Sequence, residues 1–380
     1  MRVTATLAYI IIILACNRAK RIELETVNNL SDSFFNKLSS QQVNDYKVKL
    51  ALLYDTFLQR RNFNGGILIA KNGQVVFEDY NGFSNFRTKD TITPNTPFHL
   101  ASISKTFTGV AIMQLVEKHL VSLEDSVQKF YPAFPYPGIT VKLLLTHRSG
   151  LANYPYFLTG DTAFKKRPAS NTDLLNFMIA HKPDVYQLPD RGFHYCNTNY
   201  SLLALIVEKV SGQPFPDYMK SYIFEPLQMN NTFVFSIADT ANYKPSYLAN
   251  NRPVPMEPLD CIYGDKNVYS TPRDMLKWDE ALYKNTVISK TSYEQATTPY
   301  SNEKPGKHNY GLGWRLLILP DQKIVYHNGW WHGNNTSFTR FVKDTATVII
   351  LGNRYNLAIY SGMKFSSAFG AITNTARQEE

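Results

Sequence analysis

The chain has 380 residues, 44% hydrophobic and 19% charged, with 40 Lys and Arg against 31 Asp and Glu for a formal net charge of +9. This composition is too apolar for a disordered chain, and the length allows one large core or two smaller ones. The basic residues are scattered apart from short clusters such as Lys165-Lys166-Arg167; that pattern reads as a solvated face, and nucleic acid is not an expected partner.

Arg2 followed by the apolar run Leu7 to Leu14 has the form of an export signal over residues 1–15, too short to cross a bilayer comfortably. Ile13-Leu14-Ala15-Cys16 resembles a bacterial lipobox, which makes Cys16 the candidate lipidation site and a bacterial membrane the expected partner through a lipid anchor. Plain signal cleavage is the alternative, and either one puts the mature protein in the cell envelope. Residues 16–42 are polar and read as a tether, with the folded domain expected over 43–375.

From Val43 to Leu58 the apolar residues Leu50, Leu53, Tyr54, Phe57 and Leu58 fall on one helical stripe that must dock. Two strands follow, Gly66 to Ala70 and Gln74 to Phe77, joined through Asn72-Gly73, a strong two-residue turn signal. A short β-rich approach, Thr96 to Leu100, then leads into an amphipathic helical pattern that carries Phe107, Val110, Ala111, Gln114, Leu115 and Lys118. Between Val121 and Val287 the chain reads as helices and long loops, including Thr172 to Lys182 and Tyr200 to Val210, the latter ended by Ser211-Gly212. Strand signals return at Gly313 to Leu319, Lys323 to His327, Ser337 to Val342 and Thr347 to Leu351, and Leu357 to Phe369 is a closing helix pattern. Strands at both ends with helices between predict an α+β fold: one antiparallel sheet built from the two chain termini, flanked by helices, with an inserted mainly helical lobe. A cleft between sheet and lobe is the expected place for a site.

The chemistry starts at Ser102-Ile103-Ser104-Lys105. One helical turn stacks Ser102 and Lys105 on one face, where the amine can take the serine's proton and the helix N-terminus favours a developing oxyanion. Ser-x-x-Lys also occurs at Ser126, Ser301 and Ser361. The first two lie in polar loops and the third in the C-terminal run, so only Ser102 has a strand before it and a long helix after it. Three cysteines are present, Cys16, Cys196 and Cys261; the last two read as unpaired buried thiols, with a Cys196–Cys261 disulfide as the alternative, since the sequence does not give their distance. No Cys-x-x-Cys, His-Glu-x-x-His or Gly-x-Gly-x-x-Gly motif occurs, which leaves metal and dinucleotide cofactors without footing.

Ser102-x-x-Lys105, Tyr195-Cys196-Asn197 and His327-Asn328-Gly329 follow one another in order, and their flanks carry a further likeness. Leu144 to Leu151, Tyr195 to Tyr200, Tyr269 to Met275 and Tyr310-Gly311-Leu312-Gly313-Trp314 together resemble the running text of one superfamily. It is that of serine β-lactamases and penicillin-recognising hydrolases, in the branch of class C β-lactamases, D-alanyl-D-alanine carboxypeptidases and esterases; the likeness spans about Phe63 to Asn353. The resemblance implies Ser102 as nucleophile, Lys105 as its buried base or cation, and Tyr195 as a proton shuttle held by Lys105. It further implies Asn197, His327 and Gly329 as substrate-orienting residues, and the N–H groups of Ser102 and Trp330 as the oxyanion hole. His147 and His194, near these motifs, read as structural.

Class C β-lactamases have lysine where this chain has His327, and a small residue where it has Trp330. An ordinary histidine is mostly neutral at pH 7 and holds a carboxylate less well than lysine; Trp330 and Trp331 suit an apolar or aromatic substrate group. The expected function is therefore a serine hydrolase acting through an acyl-enzyme on a small-molecule or peptide substrate, as a carboxypeptidase or esterase does. A class C-type β-lactamase and a slowly acylating cell-wall-peptide sensor are the alternatives. Oligomeric state has no signature in the sequence.

Overall fold

In the computed structural model, which describes residues 34–159 and 167–370, Asn72 and Gly73 both take positive φ, +52° and +68°. Two such residues make the turn whose twist matches that of a hairpin. The export signal, Cys16, residues 16–33 of the expected tether, Lys165-Lys166 and residues 371–375 lie outside the described residues. The chain divides into two units, residues 1–39 and 40–380. Residues 34–39 of the first contain neither helix nor strand.

The second unit begins with helix α1, Ser40–Phe57, which starts three residues inside the segment read as tether. Its polar first turn is held by Gln41 Nε2 donating to Asp45 Oδ1 at 2.8 Å, a spacing of four that favours helix without an apolar stripe. Then come β1 Gly65–Lys71, β2 Gln74–Asn81, β3 Phe83–Asn85, β4 Asp90–Thr91 and β5 Phe98–His99, followed by helix α2, Ser104–Glu117. The lobe carries α3 Asn171–His181 and α4 Asn197–Ser211, with short helices between. Beyond it lie β6 Phe233–Val234, β7 Val268–Ser270, α5 Pro272–Lys284, β8 His308–Tyr310, β9 Arg315–Ile318, β10 Lys323–Trp331, β11 Asn334–Phe341 and β12 Ala346–Gly352.

Seven strands form one sheet in the order β2-β1-β12-β11-β10-β9-β8, all antiparallel. The N-terminal hairpin thus joins the C-terminal strands through β1 and β12, with Leu68 opposite Ile349. This is the α+β arrangement read from the sequence, with the helical lobe inserted between β5 and β8. The short strands β3 and β4 pair with each other, and β5-β7-β6 form a small third sheet. Strands of two or three residues carry no readable alternation, which is why the sequence shows none in the middle of the chain. The closing segment Leu357–Phe369 is a run of 3₁₀ turns, entered through Asn356, whose Oδ1 accepts the Ala358 N–H at 3.0 Å.

The main core runs from β1, β11 and β12 through α2 into α4 and the lobe. Helix α2 is more deeply placed than an amphipathic stripe implies: Ser104 to Met113 are all buried. Its polar members are satisfied internally, with Thr106 donating to the Ile103 carbonyl at 2.8 Å and Thr108 to that of Gly264 at 2.7 Å. Phe107 stacks on Trp278 of α5 with ring centroids 4.2 Å apart, which fixes α2 against the layer behind the sheet. Cys196 and Cys261 are both free and buried, as expected.

Candidate active site

A cavity of about 760 Å³ opens where the end of β10 meets the N-terminus of α2 and the lobe. Ser102 lines it, together with Tyr195, Asn197, Gly329 and Trp330. Ser102 sits in a single 3₁₀ turn, Ala101–Ile103, that runs straight into α2. Lys105 is one turn on and fully buried. Its Nζ lies 3.2 Å from Ser102 Oγ, 2.9 Å from Asn197 Oδ1 and 2.7 Å from the Asp265 carbonyl oxygen. The last two partners can only accept, so they orient two N–H groups and leave the third position of the amine facing the serine.

Asn197 is the first helical residue of α4; the residue capping that helix is Cys196, whose side chain makes no cap bond. The Asn197 N–H donates to Asn153 Oδ1 at 2.9 Å, and its side chain is thereby free for Lys105. One residue earlier, the Cys196 N–H donates to His147 Nδ1 at 3.1 Å, and the His147 ring packs 4.2 Å from that of Tyr195. His147 thus shapes the segment that carries Tyr195 and Asn197, and burial, with Lys105 nearby, holds its imidazole well below the usual histidine range. His194 stacks on Tyr186 at 3.6 Å.

Tyr195 is positioned differently from expectation. Lys105 Nζ is 4.9 Å from its ring centroid, and the phenol hydroxyl is buried without a hydrogen-bond partner among the described residues. Lys105 therefore touches the face of the ring and does not bond the hydroxyl, because two of its N–H groups are directed at Asn197 and Asp265 and its remaining position faces Ser102. The second face-on cation is Arg315 of β9, whose Cζ is 5.2 Å from the same centroid.

His327 is the main correction. The resemblance implies a substrate-orienting role for it, but it is fully buried and absent from the lining. Nδ1–H donates to the Asn328 carbonyl at 2.8 Å, and Nε2 accepts the Tyr310 hydroxyl at 3.1 Å. Both ring nitrogens are engaged in the neutral form. Burial, then Arg315 and Lys105, push its pKa well below the usual histidine range. The ring supports the wall from behind, 6.4 Å from Tyr195 centroid to centroid.

Gly329 shares the His327 face of β10, two residues on. A Cβ there would lie 2.3 Å from the Leu100 carbonyl oxygen and 3.0 Å from Ala101 Cβ. Only glycine lets the strand touch the turn that carries Ser102. Trp330 is 64% exposed at the cavity wall, while Trp331 is tied by Nε1–H to Asp260 Oδ1 at 2.8 Å. His332 Nε2 meets the same oxygen at 2.9 Å. Beneath Lys105 lies a buried pair, Lys266 and Asp265, 3.7 Å apart, with the Tyr154 hydroxyl donating to Asp265 Oδ2 at 3.0 Å and accepting from Lys266.

Arg315 was not singled out from the sequence, nor were Asn153, Glu257, Tyr326 and Tyr360, all of which line the cavity. Arg315 directly follows the Tyr310 to Trp314 text, and β9 pairs it with Tyr326; a strand register was needed to bring it to the site. Among the described residues no cluster of three His, Cys, Asp or Glu side chains is arranged to hold a metal ion.

The family model Beta-lactamase matches residues 50–358. Penicillin-binding protein 4* of Bacillus subtilis (strain 168) is 33% identical over 326 residues, covering 80% of this chain and 71% of that protein. Among solved structures, a penicillin binding protein from Bacillus halodurans is similar with a TM-score of 0.73 at 26% identity, covering 83% of this chain and 98% of that one. The octameric penicillin-binding protein homologue from Pyrococcus abyssi also reaches 0.73, at 28% identity, covering 85% of this chain and 77% of its own. With the match covering most of its length and this site at the centre of the fold, the chain belongs to the beta-lactamase family and is a serine hydrolase that works through an acyl-enzyme on a peptide, amide or ester.

Proposed function

We propose that Ser102 is the nucleophile, that Lys105 takes its proton, and that Tyr195 protonates the leaving group. The observation that carries this is the contact of Ser102 Oγ with Lys105 Nζ at 3.2 Å, with Asn197 and Asp265 holding the amine in place. Ser102 attacks the carbonyl carbon as its proton passes to the Lys105 amine, which returns it to Oγ when the acyl-enzyme is cleaved. Tyr195, whose hydroxyl has no partner among the described residues, delivers a proton to the departing group and draws one from the water that cleaves the acyl-enzyme. The N–H groups of Ser102 and Trp330 receive the oxyanion; the close approach of Gly329 to Leu100 and Ala101 supports that pairing. Asn197 steers Lys105 and the acyl side of the substrate. His327 acts through Tyr310 and the strand, as a positioning residue.

The substrate we favour carries a carboxylate beside an apolar or aromatic group, as a peptide with a free C-terminus does. Arg315 supplies the permanent cation that neutral His327 does not, and Tyr326, Trp330, Trp331 and Tyr360 supply apolar walls. A carboxypeptidase-like or esterase-like activity follows, in the cell envelope, with the mature chain lipidated at Cys16 behind a cleaved signal.

The test uses a fluorophosphonate probe, a p-nitrophenyl ester, nitrocefin and a D-alanyl-D-alanine peptide. Ser102→Ala is expected to keep the fold and lose probe labelling; continued labelling would put the nucleophile elsewhere. Arg315→Gln is expected to lower kcat/KM for the peptide by about 10- to 100-fold, the size of a lost charge-assisted contact, and to spare the ester. Equal losses on both substrates would refute carboxylate recognition by Arg315. Rapid nitrocefin turnover would favour the β-lactamase alternative, and labelling without turnover the sensor.

A further inference from the structure

Ala101, immediately before the nucleophile, has φ of +48°, in the left-handed region that alanine rarely adopts. Something must hold it there, and the partner stands two residues back, at the end of β5. We propose that His99 is a positioning residue for Ser102: its Nδ1 accepts the Ala101 N–H and its Nε2–H anchors that turn to Asn267.

The contacts leave one consistent assignment of protons. Asn267 Nδ2 donates to the Asp260 carbonyl at 2.6 Å and to the Phe235 carbonyl at 3.2 Å. Both are pure acceptors, so the amide nitrogen must face them and Oδ1 must face His99. Oδ1 lies 3.1 Å from His99 Nε2, which therefore carries the proton. That leaves Nδ1 as the acceptor, 3.0 Å from the Ala101 nitrogen. A second proton on the ring would confront the Ala101 N–H directly. Only neutral imidazole in this tautomer makes both bonds.

The surroundings favour that form. His99 is 4% exposed, paired in β5 with Tyr269 of β7, their rings edge to face at 4.9 Å. The charged and titratable groups around it are Asp260, Lys266, His332 and Tyr269. Burial, helped by Lys266 and His332, outweighs the opposing effects of the Asn267 hydrogen bond and Asp260 and pushes the imidazole down to about 4. Asp260 extends the same chain of bonds to the cavity wall through Trp331 and His332. The turn presenting Ser102 and the wall facing it are therefore held by one buried frame.

The inference rests on Ser102 as nucleophile, so the test reads both. Full-length protein, His99→Asn and His99→Gln are compared for the rate of fluorophosphonate labelling, for kcat and KM on a p-nitrophenyl ester, and for thermal melting. Asparagine places an oxygen near the position of Nδ1 and keeps an acceptor for Ala101; glutamine reaches the position of Nε2 and keeps only the partner of Asn267. His99→Asn is expected to label within about threefold of the parent, and His99→Gln about tenfold or more slowly, with kcat falling and KM unchanged. Adding Ala101→Gly to His99→Gln should return much of the rate, since glycine adopts positive φ unaided. Equal labelling of the two His99 variants, or no recovery in the double variant, would overturn the role of His99. A parent that does not label, or a Ser102→Ala protein that does, would instead overturn the nucleophile assignment itself.

Discussion

Replacing Gly329 by alanine tests whether strand β10 and the Ser102 turn form one rigid site. The added methyl would lie 2.3 Å from the Leu100 carbonyl oxygen and 2.3 Å from Thr336 Oγ1, where ordinary contact begins at 3.4 Å. Neither neighbour yields easily: the carbonyl belongs to the backbone, and Thr336 donates its hydroxyl to that same carbonyl at 2.7 Å. The strand and the turn must therefore part by about 1 Å, a misplacement that costs about 10²-fold in rate, or about 2.7 kcal/mol of transition-state stabilisation. Strain in the folded state should add a loss of about 1–3 kcal/mol in stability. Fluorophosphonate labelling measured across probe concentrations separates the rate of serine phosphonylation from binding, and a melting curve reports the strain. If Gly329→Ala is labelled within about threefold of the parent rate while folded, the strand does not set the geometry of the nucleophile and the oxyanion assignment falls with it.

Two further outcomes concern stability. His99 sits near 4 in the folded protein against an ordinary 6.5, so between those values the unfolded chain binds the extra proton. The stabilisation is complete above about pH 6.5 and lost as pH falls toward 4, a change of about 3 kcal/mol; His147 and His327, also lowered by burial, act with the same sign. Urea melts of the parent and His99→Asn at pH 7.5 and 4.5 should differ in their acid loss by about that amount, and equal losses would refute it. In the core, Arg340 is fully buried with Asp279 accepting from its Nε, while Thr347 donates to Asp279 Oδ2 at 2.6 Å. Asp279→Ala leaves that guanidinium without its counterion and should cost about 3–5 kcal/mol in a denaturant melt; a loss under 1 kcal/mol would show that Arg340 finds another partner.

The parts of this protein legible without coordinates are those governed by short-range spacing. Asn72-Gly73 between two apolar runs forces the hairpin, and Ser102 and Lys105 meet because three residues make nearly one helical turn. The ordered motifs and their flanks likewise identify the family, since each is a local run of side chains. Other properties depend on segments far apart in the chain. The carbonyl that orients Lys105 belongs to Asp265, 160 residues away, and Asn267, which fixes the His99 tautomer, is 168 residues from it. His327 illustrates the limit most clearly. Its place in the motif is visible in the sequence, but whether its imidazole meets substrate or Tyr310 depends on how β8 and β10 pack, and the packing buries it. Arg315 reaches the cavity through the pairing of β9 with β10. Periodicity determines which faces an element has; only the assembled sheet and lobe decide what each face meets, and with it the charge and proton position of every buried group.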